Sequence, residues 1–111
     1  MRGDIIIVDF PFSDASRAKR RPALVVLGDG VSSSVNTIIA LITSSTYRAG
    51  ATRLVVDPAL ESGSGLVAIS AVACESLFSL QQRLIVKRIG SLSSVAMAQV
   101  DDCLKIALGL S

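Results

Sequence analysis

Four cations fall within five residues, Arg17, Lys19, Arg20 and Arg21, in the segment "RAKRRPALVVLG", and a proline then leads into an apolar run. Mutual repulsion normally spreads Lys and Arg over a surface, so this crowding suits an anionic partner. A solvated loop whose charges aid solubility is the plain alternative. Pro22 holds Arg21 extended and withholds one ladder donor, which fits the first residue of a strand or an edge position. The aliphatic residues behind it anchor Arg21, while Arg17, Lys19 and Arg20 belong to the approach loop. A guanidinium held this way offers a planar fork of donors to a phosphate.

A second candidate is the row of hydroxyls that closes "ALITSST", residues 40–46: Thr43, Ser44, Ser45 and Thr46. Hydroxyls donate to phosphate oxygens, but a strand passing into a Ser/Thr turn has the same composition. If segments 23–27 and 36–43 pair as antiparallel neighbours, the start of one lies beside the finish of the other. Arg21 and Thr43 then share one end of the sheet.

The elements that must hold these residues follow from the apolar pattern. "IIIVDF" (5–10), "ALVVL" (23–27), "NTIIALIT" (36–43), "RLVVD" (53–57), "GLVAIS" (65–70) and "RLIVKRI" (83–89) are short and rich in Ile and Val, so each predicts a strand. Turn chemistry separates them, and six such strands predict an antiparallel sheet curled towards a barrel. The tail "SLSSVAMAQVDDCLKIALGL" instead spaces Met97, Val100, Leu104 and Ala107 for a helix, with Ser93 or Ser94 as cap and Gly109 as stop. That helix should lay its apolar face on the sheet. No repeat or linker interrupts the chain, so residues 1–111 form one domain.

Composition bounds the partners. Half of the 111 residues are hydrophobic and 18% are charged, which excludes a disordered segment, and the net charge of +2 says less than its clustering. Aromatics are few, Phe10, Phe12, Tyr47 and Phe78, so any stacking on bases is sparse. Cys74 and Cys103 lie far apart and there is no histidine, which excludes the common zinc spacings and predicts two small buried thiols in a reducing compartment. "MRGDIIIVDF" is too short for a signal peptide, and no run approaches a membrane span, so a cytoplasmic protein is expected.

"RGDIIIVDFPFSD", "KRRPALVVLGDG", "IIALITSS", "SGSGLVAIS", "KRIGSLSS" and "CLKIALGL", in this order and over essentially the whole chain, resemble the PemK/MazF-type toxins of bacterial toxin–antitoxin systems. The resemblance implies an SH3-like antiparallel β-barrel with a C-terminal α-helix, a homodimer, and cleavage of single-stranded RNA at short motifs without metal or other cofactor. It also implies a cognate antitoxin whose disordered tail occupies the RNA groove. The family's phosphate-stabilising arginine before proline falls on Arg21, and the threonine that bonds the same phosphate falls on Thr43. Arg17, Lys19 and Arg20 would steer RNA, Phe12 would stack on a base, and Ser44, Ser45 and Ser70 would line the path.

Cleavage of this kind uses the substrate's 2′-hydroxyl on the adjacent phosphorus, so the protein has only to hold the linkage and neutralise developing charge. The chain departs from the family in one region. Several members carry an acidic residue where Ser70 stands; a PemK-like branch has serine there followed by an arginine, where this chain has Ala73. Apart from Arg21, which the family also implicates in proton transfer, the resemblance therefore assigns no proton carrier, and Glu75 and Asp57 are candidates by residue type alone. A gyrase-inhibiting toxin of the same fold and an RNA-binding domain that has lost cleavage are the alternatives. Elsewhere "SGSG" (62–65) predicts a turn and not a phosphate cradle, Asp101 and Asp102 predict solvent-facing charges, and Lys87 and Arg88 fit either a groove or a guarded sheet edge.

Overall fold

The computed structural model describes residues 1–10, 19–31, 35–44 and 50–110, and of Lys19 the backbone. Six strands, β1 (Asp4–Phe10), β2 (Lys19–Val25), β3 (Asn36–Thr43), β4 (Arg53–Val56), β5 (Ser70–Gln81) and β6 (Ile85–Ser91), precede helix α1 (Ser94–Ala107). All neighbours run antiparallel, in the order β4-β5-β3-β2-β1-β6.

The expected barrel is an open, curled sheet. β4, only four residues long, pairs with β5 alone and β6 with β1 alone, so no ladder joins the two edges. The curl is nonetheless strong: the Phe10 and Phe78 rings meet edge to face at 5.7 Å, although β2 and β3 lie between their strands. Ile6, Val8, Phe10, Ala23, Val25, Ile39 and Leu80 fill this concave face. The other face carries Ile5, Leu24, Ala40, Ile42, Val56, Val72 and Cys74, which pack under α1. Fully burying an aliphatic side chain of this size contributes roughly 1.5–3 kcal/mol.

α1 matches the helix expected from the tail. Val100 and Ala96 are buried, with Met97, Leu104 and Ala107 packed against the same core. The Ser93 hydroxyl accepts from the Ala96 amide at 3.1 Å and itself donates to Glu61, which also receives the Ser93 amide, each at 2.8 Å. Gly109, at φ +71°, ends the helix in the left-handed region. Cys74 and Cys103 are both free thiols at the helix–sheet contact; burial pushes the Cys74 thiol up to about 12. Asp101 is not a plain solvent charge: it pairs with Arg2, tying α1 to the chain's start, whereas Asp102 is exposed.

The fifth strand is where the sequence pattern misleads. Strand geometry begins at Ser70, where the expected segment 65–70 ends, and runs to Gln81. "GLVAIS" has strand-like residues, but Gly65 sits at φ +74° and Val67 is fully exposed. The turn at 62–65 instead presses on β6, where a Cβ on Gly65 would lie 2.1 Å from the Ile89 carbonyl oxygen. β5 itself is built largely from small residues, with a bulge: Ala40 opposes Leu77 but Leu41 opposes Ala73, leaving Cys74, Glu75 and Ser76 outside the β3 ladder. The Cys74 amide bonds the Thr52 carbonyl instead.

Candidate nucleic-acid interface

β2 begins before its proline, at Lys19. It pairs with β1 from Lys19 to Leu24, including Val8↔Arg21 and Asp9↔Arg20, but its ladder with β3 stops at Ala23↔Leu41. Pro22, with no N–H to give, is the next residue. The same register continued two residues along each strand sets Arg21 opposite Thr43. Both share the parity of Ala23 and Leu41, so both belong to the concave face, at its rim. Arg21 is exposed and makes no hydrogen bond or ion pair with any described residue, while Thr43 is half-buried.

Strand alternation divides the basic cluster. Arg20 lies on the opposite face, where its Nε donates to Asp9 at 3.2 Å. Lys19 lies opposite Phe10 in the ladder. Ser44 follows Thr43 and is exposed. Ser70 is not brought to this rim: it opposes Val56 on the helix side, is buried, and donates its hydroxyl to the Ala68 carbonyl at 3.0 Å. Phe12, Arg17, Ser45 and Thr46 lie outside the described residues. Arg88 donates to Asp4 at 3.0 Å on the edge strand β6. Burial works against ionisation of Asp4, but the chain's amino group and Arg88 outweigh it and hold its carboxyl below the usual range.

A cluster absent from the sequence reading lies two strands from Thr43. Arg53 opposes Ala73, which opposes Leu41, so it stands on the same face as Thr43 and Arg21. Glu75 takes Arg53 Nη2 at 2.8 Å, Nε at 3.0 Å and the Thr52 hydroxyl at 2.7 Å. Desolvation opposes the charge on Glu75, yet these bonds prevail and lower its pKa. No sequence signal joins residues 22 apart; the bulge that frees Glu75 from the β3 ladder makes the contact. Asp57, the other candidate carboxylate, accepts the Ala59 amide in the turn after β4.

Among the described residues, His, Cys, Asp and Glu nowhere gather in threes as a metal would need. No described helix is long and apolar enough to cross a membrane. A hollow of about 610 Å³, bordered by Asp4, Ile6, Val25, Thr37, Ile85 and Arg88, opens near the start of β3, away from Arg21 and Thr43.

The chain is thus an open antiparallel sheet, curled over one apolar cluster and backed by a C-terminal helix over a second, with an arginine and a threonine at its concave rim. A family model for the PemK-like, MazF-like toxins of type II toxin–antitoxin systems matches residues 1–108, and the chain belongs to that family. Solved structures agree. The toxin MazF-mt6 of Mycobacterium tuberculosis superposes with a TM-score of 0.78 at 25% identity, covering 97% of this chain and 98% of that one. A mycobacterial endoribonuclease in complex with its cognate antitoxin gives 0.79 at 18% identity, covering 100% and 96%. A MazE–MazF structure from Deinococcus radiodurans gives 0.74 at 22%, covering 98% and 95%. No curated protein sequence matches the chain.

Proposed function

We propose that this chain is an endoribonuclease toxin that cuts single-stranded RNA at short motifs, with Arg21 and Thr43 at the scissile linkage. The observation that carries the reading is the β2–β3 register, which, continued to Arg21 and Thr43, sets a guanidinium with no partner among the described residues opposite a hydroxyl on one face. In this mechanism the 2′-hydroxyl attacks the adjacent phosphorus in line, giving a 2′,3′-cyclic phosphate and releasing a 5′-hydroxyl. Arg21 stabilises the charge that grows on the phosphoryl oxygens, and Thr43 donates to the same group. The substrate supplies its own nucleophile, so positioning and charge stabilisation suffice and no metal is needed.

Membership in the family and the antitoxin-bound relative support a protein antitoxin as partner, and the proposal takes a homodimer as the working form and the cytoplasm as the place of action. The test is purified protein with mixed-sequence RNA in EDTA, with the 5′ ends mapped. Cuts bearing 5′-hydroxyls, lost in Arg21→Ala, support the proposal. Intact RNA overturns it: blocked DNA supercoiling would then mark a gyrase inhibitor, and salt-sensitive binding without cuts an RNA-binding domain.

A further inference from the structure

Arg53 and Arg21 are two guanidiniums on one sheet face in opposite states. Arg21 projects at the rim without a described partner, whereas Arg53 is held, its side chain 21% exposed. The way it is held matters. Glu75 engages Nε and Nη2, the side edge of the guanidinium, and Thr52 fixes the other carboxylate oxygen. Of the five N–H donors of an arginine, those of Nη1 and one of Nη2 remain, and they form the end fork that pairs two-pronged with an anion. Among the described residues nothing occupies that fork.

Its direction and distance also fit. Leu54 and Val56 pack under α1, so Arg53 takes the opposite parity, shared with Ala73, Leu41 and Thr43. Two strand spacings and two residues of rise separate the Arg53 and Thr43 backbones by roughly 12 Å. On β5, which lies between their strands, the residues of this face are Ala73, opposite Arg53, and Ala71, opposite Thr43, and both are too small to screen the gap. We infer that Arg53, aimed by Glu75 and Thr52, binds a phosphodiester beside the scissile one and so sets the line along which single-stranded RNA crosses the sheet. This rests on the RNA-cleaving reading of Arg21 and Thr43.

The inference predicts coupling between Arg53 and one particular phosphate. RNA carrying a 2′-deoxy nucleotide at the mapped cut, which removes the nucleophile, is bound by the wild type and by Arg53→Ala and Arg53→Lys. A methylphosphonate neutralises each flanking linkage in turn. At one flanking position neutralisation should weaken wild-type binding about tenfold and leave both variants unaffected. The slope of log K against log salt should fall by about 0.7 in Arg53→Ala. Arg53→Lys retains the charge beside Glu75 but loses the fork, so it carries the test if Arg53→Ala fails to fold. Wild-type and variant proteins responding alike at every linkage overturn this inference alone. A wild type that neither binds nor cuts RNA overturns the proposed function with it.

Discussion

The corner where residues 62–65 meet β6 and the rim where β2 leaves β3 are built on opposite terms. At the corner, backbones approach so closely that no side chain fits: a Cβ on Gly90 would stand 2.3 Å from the Gly63 carbonyl oxygen. The Ser91 amide bonds that same carbonyl at 2.9 Å, and Glu61 next to it caps α1 through Ser93. At the rim the ladder stops, and an arginine is left with no described partner. Under the proposed function, stability and chemistry are therefore kept in separate places. A substitution should move the melting temperature or the cleavage rate, but seldom both.

The sharpest way to break that separation is Arg21→Ala. Cleavage should slow at least a hundredfold, about 3 kcal/mol in the barrier, in a rate assay on a labelled RNA, while thermal melting stays where it was. A shifted melting temperature would refute the division. Gly90→Ala should do the reverse, costing about 2–3 kcal/mol in denaturant unfolding because backbone on both sides must give way. The protein that remains folded should cut at the normal rate. Ser93→Ala removes the cap and one of the Glu61 bonds, for about 1 kcal/mol by the same measurement.

The smallest effect is the most specific. Glu75 is held below its ordinary pKa in the folded chain, so its contribution is complete above the unfolded value and is lost as pH falls through the folded one. Glu75→Gln should therefore lower stability modestly at neutral pH, flatten the acid limb of a stability–pH curve, and converge on the wild type at its acid end. A limb as steep as the wild type's would mean that the Arg53 contact adds nothing to folding.

What could be read in advance follows the same division. The rim was legible because it depends on short, regular pieces: an arginine fixed by a following proline, and a β-rich strand ending in Thr43. Two antiparallel strands then leave little freedom in where those ends meet. The helix was legible because its period, cap and terminal glycine agree. The fifth strand was not, since β5 opens on Ser70, Ala71, Val72, Ala73 and Cys74, mostly small residues, while the β-branched Val67 and Ile69 lie in the preceding irregular segment. The Arg53–Glu75 contact was illegible for a related reason. It exists only because three residues step out of the β3 ladder, and no periodicity announces such a step.

Arg20 and Arg21 are chemically identical and one peptide apart, yet the pleat gives them different tasks. The even-numbered one answers a carboxylate on the far side and the odd-numbered one waits at the lip. Tallying cations in this segment thus overstates the charge that an incoming anion meets. In any relative, the quantity to compare is the parity of the arginine, counted from the proline that follows it.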